Sequence, residues 1–285
     1  MVFLKKVVLS LWRTVLFWAT GKRLLLVCIF GGLVSCQSIS PTQKAVLAPR
    51  SAQPLLQSSH FKLFRLPDSY DAAAILQESE QTTSILLGWL NGTNKWPKVT
   101  ILVYSPDEAD GRRLLKKTST TQVKGRYFFP PQNTLLLVGD PENPRFWTVL
   151  RHEVTHAAVI HSSSHTLPFW LNEGMATLFE KGIDKQGNPR IVSERLQMAK
   201  KLAKRRKGLR LKTVLIKENP DYQDGKAYAK AWSILYFLYQ TAPKKTAELI
   251  ISEKPASPFP FAFFGLASIE ELEEGVTRML EKLPE

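Results

Sequence analysis

The eleven residues RHEVTHAAVIH, Arg151 to His161, hold three of the chain's five histidines, and one arrangement satisfies the pattern around them. At about 100° per residue, Phe146, Trp147, Leu150, Val154, Ala157 and Ala158 gather on one side. So wide an apolar stripe must face a core. His152 and His156 lie about 40° apart on another face, with Glu153 about 100° from His152 and with Val149 and Ile160 filling the gaps. The spacing predicts a helix whose second face is polar in a partly apolar setting. Asn143 followed by Pro144 supplies an N-cap and a first helical residue. His161 falls about 180° from His152 and is expected to point into the core, away from the other two.

His152, Glu153 and His156 spell H-E-x-x-H. Two imidazoles at i and i+4 on a helix meet one metal ion from the same face, and the glutamate between them points aside towards a water on that ion. A zinc ion that does chemistry takes three protein ligands and keeps one position open. A metzincin would carry Gly at 159 and His at 162. Val159 and Ser162 stand there instead. Downstream, LPFWLNEGMATLFE offers Glu173, the only acid between Glu153 and Glu180, on an amphipathic helix that Trp170, Leu171, Met175, Leu178 and Phe179 would anchor. A carboxylate in so apolar a stretch needs a partner, and a metal is one.

HEVTH followed by LPFWLNEGMATLFE resembles the gluzincin metallopeptidases, most closely the peptidase MA-like family, whose second motif reads W-x-x-E-G-x-A. The resemblance covers roughly Thr134 to Tyr239. It implies a zincin-like fold with His152, His156 and Glu173 as zinc ligands and Glu153 as catalytic base. It also implies that the strand just before the zinc helix, here Thr134 to Val138, binds an extended substrate by β-addition. The family carries a later helix with a tyrosine that stabilises the oxyanion. In AYAKAWSILYFLYQ that tyrosine is Tyr228, with Tyr222 as second candidate, although Tyr228, Trp232, Leu235 and Tyr239 also form a plain packing stripe. Asn172, beside the third ligand, is placed to orient the site. His165, in the HSSSH loop, is left outside it.

The rest of the chain frames this site. Residues 69–90 predict a helix ended by NGTN, Val99 to Tyr104 a buried strand, and Tyr127 to Phe129 with Thr134 to Val138 a hairpin joined by PPQN. Helices dominate after residue 144. The expected architecture is therefore α+β, a small mixed sheet followed by a helical half that carries the zinc site.

The N-terminal stretch GKRLLLVCIFGGLVSC has a basic pair, a short apolar run, and Leu33, Val34 and Ser35 before Cys36. It resembles a bacterial lipoprotein signal, with residues 1–35 removed and Cys36 lipidated, and the run is short for a spanning helix. The apolar, basic Met1 to Thr20 leaves an uncleaved anchor as the alternative. Residues 36–59 then read as a lipidated start and a Ser/Pro/Gln-rich tether reaching roughly 25 Å as a coil, and residues 60–285 as the peptidase domain, beginning near Phe61. Cys28 leaves with the signal and Cys36 is consumed by lipid, so no thiol chemistry remains.

Removing Lys5, Lys6, Arg13, Lys22 and Arg23 with no acid lowers the net charge from +14 to +9. The densest basic run, residues 200–212 on or after a helix opening near Ser193, is a solvated face or a contact for anionic lipid headgroups. No nucleic-acid motif accompanies it. The sequence thus points to a membrane-anchored, Zn2+-dependent peptidase of the bacterial envelope acting on peptide or protein. Its alternatives are a non-catalytic zinc-binding lipoprotein that serves as a scaffold, and an amidase acting on cell-wall peptides.

Overall fold

A computed structural model describes residues 53–92, 96–115, 123–163, 167–205, 207–215, 225–252 and 258–284. The lipoprotein signal, Cys36, His165 and Tyr222 lie outside them. In chain order the described elements are β1 (Leu56–Gln57), β2 (Phe61–Arg65), α1 (Ala72–Leu90), β3 (Val99–Tyr104), α2 (Ala109–Leu115), β4 (Lys124–Phe128) and β5 (Thr134–Val138). They continue with α3 (Pro144–Ser162), α4 (Phe169–Phe179), α5 (Ser193–Ala203), α6 (Lys212–Leu215), α7 (Gly225–Thr241), α8 (Pro243–Ile251), α9 (Phe261–Phe264) and α10 (Ile269–Lys282). A mixed five-stranded sheet followed by a helical half is the expected α+β architecture.

The sheet runs β1-β2-β3-β5-β4, parallel across β2, β3 and β5 and antiparallel at both ends. VTILVY and TLLLV are nearly continuous apolar runs because each lies between two neighbours and is covered on both faces. On one face Ile101, Val103, Leu135 and Leu137 pack against Phe146, Leu150, Val154 and Ala157 of α3. On the other, Leu102, Tyr104, Leu136 and Val138 pack with Leu114 and Leu115 of α2.

Two expectations about strands change. Pairing begins at Leu56, which faces Leu63 across β1 and β2, so the end of the stretch read as tether belongs to the sheet. β5 is flanked by β3 and β4, so its backbone is already paired on both sides and cannot accept an added strand. The edge beside α3 is β4.

Capping sets the helix starts. The Asp71 side chain accepts from the amides of Ala73 and Ala74, which moves the start of α1 from the expected residue 69 to Ala72. Asn143 accepts from the Arg145 amide ahead of Pro144, as the sequence predicts. α4 is buried on nearly every face, rather than along one stripe, because it lies between α3 and α7. Gly174 permits that approach: a Cβ there would stand 2.6 Å from Leu235 Cδ2 and 2.9 Å from the Ala231 carbonyl. Trp170, Met175, Trp232 and Leu235, all fully buried, centre this third apolar cluster. All three clusters lie within one compact unit, Gln37–Glu285. Among the described residues no helix is long and apolar enough to cross a membrane.

Candidate metal centre

Helix α3 presents His152 and His156 one turn apart, their ring centroids 4.9 Å from each other. α4 crosses against α3 and brings Glu173 between them. Glu173 Oε2 lies 3.4 Å from His152 Nε2 and 3.5 Å from His156 Nε2. One ligand atom from each residue lies within 4.8 Å of the others, so the three can hold a metal ion.

Both histidines are oriented from behind. His152 Nδ1 donates to Glu180 Oε2 at 3.0 Å, and His156 Nδ1 donates to Asn172 Oδ1 at 3.0 Å. With a proton held on Nδ1 by these partners, Nε2 is the atom each ring has left to offer a metal, and it faces Glu173. Asn172 thus does what its position in the sequence suggested. Glu180 was not anticipated. It follows Glu173 by seven residues, two turns of helix, which returns it to the same face, and that spacing was the available signal. Arg195 Nε lies 3.6 Å from the other Glu180 oxygen, and its guanidinium sits 5.2 Å over the Tyr228 ring.

The electrostatics are those of a site built around a cation. Glu173 is 9% exposed and its Oε2 makes no hydrogen bond. Burial opposes its charge, yet the two histidines hold its carboxyl well below the usual range. Burial likewise pushes His152 down, but Glu173 and Glu180 outweigh it and raise the imidazole to about 10. His156 is raised too, against its burial, chiefly by Glu173. The neighbouring carboxylates thus favour positive charge on both rings, at the place where a metal ion would sit. The donor set, its orienting partners and the orphaned oxygen all fit a metal.

Glu153 is buried beside the triad. Its Oε2 accepts from the Tyr127 amide of β4 at 2.7 Å. Tyr228, half-buried in α7, has its ring 6.4 Å from that of His152 and 5.9 Å from that of Phe169. On the same stripe Trp232 and Leu235 are fully buried, whereas Tyr228 is half-buried with its ring near both His152 and Phe169.

His161 does not enter the core. It is half-buried at the end of α3, where its Nε2 lies 2.8 Å from Asn133 Oδ1, an atom that also accepts from the Tyr127 hydroxyl at 2.5 Å. The wheel alone could not show that the β4–β5 turn brings polar groups to the last turn of the helix.

A profile described as a protein of unknown function, DUF1570, matches residues 147–260. The matched stretch contains His152, Glu153, His156, Glu173, Glu180 and Tyr228. No curated protein matches the chain.

Proposed function

We propose that this chain is a zinc-dependent peptidase of the gluzincin type, tethered to the membrane of the bacterial envelope through lipidated Cys36. The observation that carries the reading is the buried Glu173 Oε2, which makes no hydrogen bond and lies 3.4 and 3.5 Å from two oriented Nε2 atoms. Two imidazoles and a carboxylate are a donor set used by catalytic zinc. The 3.4 and 3.5 Å separations approach the roughly 3.3 Å edge of a tetrahedron with bonds of about 2.0 Å. A zinc ion held there would act as a Lewis acid and lower the pKa of water towards about 7.

The residues around it divide the remaining work. Glu153 takes a proton from the attacking water and returns it to the leaving amine, with the Tyr127 amide fixing one carboxylate oxygen so that the other is left for that exchange. In an antiparallel pair, alternate residues turn their peptide groups outward. Tyr127 turns its amide towards Glu153, so Gly125 presents its peptide groups to the same side. An extended peptide adding to β4 there would run past the triad. Tyr228, through its hydroxyl, is the candidate donor to the oxyanion.

Digestion of an unbiased peptide library with purified protein tests the activity. Cleavage that stops with chelator, returns with zinc and falls by roughly two orders of magnitude or more in Glu153→Gln, with metal retained, is the expected result. Zinc binding without cleavage of any peptide would leave a scaffolding role. Intact mass spectrometry of membrane-extracted protein tests the tether: an N-terminus at lipid-bearing Cys36 is expected, and an unmodified Met1 on membrane-bound protein would favour an uncleaved anchor.

A further inference from the structure

The fold gives the basic run from Lys200 to Lys212 two different surroundings. Its first part forms one wall of an open groove of about 640 Å³. Ile191, Leu196 and Pro284 give this groove an apolar floor, and Lys200, Lys201 and Lys204 its rim. Lys200 is committed, because its ammonium donates to the carbonyls of Leu283 and Pro284 and so fixes the opposite wall. Lys201 and Lys204, three residues apart and exposed, share a face of the last turn of α5. A second concavity follows directly, rimmed by Arg205, Lys207, Arg210 and Lys226. Among the described residues no acidic side chain lines either one. Glu194, the one acid of α5, is turned to Ser193 and to the charges of Lys181 and Arg195. Glu273 of α10 is engaged by the Leu211 amide.

This charge arrangement works against the helix that carries it. Lys200 with Lys204, the C-cap of α5, is a like-charged i,i+4 pair, which destabilises a helix, and Arg205 follows just beyond the helix end. Cations at a helix C-terminus recover part of that through the dipole, but two cationic concavities side by side ask for an anion. The floor narrows the choice. A nucleic acid would need rings for its bases to stack on, and among the described residues no aromatic side chain lines either concavity. An apolar floor under an ammonium rim matches a molecule with a hydrocarbon part and an anionic head.

We propose that the groove between α5 and the chain's last described residues binds an anionic phospholipid, the phosphate on Lys201 and Lys204 and the first acyl carbons on Ile191, Leu196 and Pro284. The proposed envelope tether guides the choice of a lipid, but the site needs neither the metal nor hydrolysis. Membrane contact here would dock the domain on the bilayer rather than leave it at the end of its tether.

The test uses residues 37–285, the unit that contains all three apolar clusters, in sedimentation with phosphatidylcholine vesicles that do or do not contain phosphatidylglycerol. Binding only to the anionic vesicles, weakening with salt, is expected. Lys201→Ala with Lys204→Ala should weaken it roughly 30-fold, at about 1 kcal/mol per lysine near an anionic surface. The charge-matched pair Lys185→Ala with Lys244→Ala, neither of which lines either concavity, should change it by less than about twofold. Melting temperature and metal content, unchanged in both pairs, show that the variants fold. Equal losses in the two pairs would mean that net charge alone drives binding and would overturn the site. So would binding of inorganic polyphosphate without binding of vesicles, which would make the groove a phosphate site with no lipid role.

Discussion

Gly125 lies against Glu153 with no room for a side chain: a Cβ at position 125 would stand 2.7 Å from Glu153 Cγ and 3.1 Å from its Oε1. The same residue would meet Val149 Cγ1 at 2.5 Å. A glycine inside a strand marks a place where something approaches the backbone closely, and here the neighbour is the candidate base. Together with the amide of Tyr127, β4 therefore sets where the Glu153 carboxylate can be.

Gly125→Ala should displace that carboxylate while leaving His152, His156 and Glu173 in place. Misplacement of a reacting group by about 1 Å can cost on the order of 100-fold in rate. The expected outcome is peptide turnover lowered by roughly that factor at unchanged metal content. Turnover equal to wild type would show that the base is not held by this contact.

Protons and metal compete for one set of atoms, which gives a signed pH dependence. In the chelated protein His152 is raised from its ordinary 6.5 to about 10. Its interaction with Glu173 and Glu180 thus contributes stability that is fully present below about 6.5 and is lost as pH rises through about 10. Melting temperature in chelator should fall across that window. Zinc affinity should move the other way, rising with pH as fewer protons must leave. Calorimetry in buffers of different ionisation enthalpy would detect the released protons, and metal uptake without proton release at pH 7 would contradict the triad as the ligand set.

Glu180 acts on the metal only through His152. Glu180→Gln removes the charge and keeps the shape, so zinc affinity should fall by about 10-fold or somewhat more, the usual cost of losing an outer partner of a metal-binding histidine. The Nε2 of His152 should also become easier to deprotonate when zinc is absent, visible as a downward shift in its NMR titration. An unchanged titration would mean that the 3.0 Å contact carries little of the charge balance.

How far the sequence reaches can be seen by comparing these residues. His152, Glu153 and His156 are legible because one turn of helix places them together whatever surrounds it. Glu173 is legible because a lone acid in an apolar stretch demands a partner. Glu180 was equally close in helical angle, but its purpose depends on how α3 and α4 cross, which no local pattern records. The same holds for β4 and β5. The hairpin is a local feature with a turn signal, whereas the pairing of β5 with β3 joins strands thirty or so residues apart, and that pairing decides which strand is the edge. β1, two residues long, is too short to show a period.

Tyr228 is the residue on which local pattern and site geometry make opposing claims, and one substitution separates them. Tyr228→Phe keeps the ring that lies beside His152, Phe169 and Arg195 and deletes only the hydroxyl. If that hydroxyl donates to the oxyanion, about 2 to 4 kcal/mol of transition-state stabilisation is lost, and turnover falls roughly 30-fold to 1000-fold. If Tyr228 only packs, turnover stays near wild type and stability changes by about 1 kcal/mol at most. Rate and melting temperature measured on one preparation decide between the two, with zinc content as the control, because a hydroxyl outside the ligand set should leave occupancy unchanged. Tyr222→Phe belongs in the same experiment. A large loss there with an intact Tyr228→Phe would transfer the donor role to Tyr222, and no loss in either would assign the oxyanion to neither of these two tyrosines.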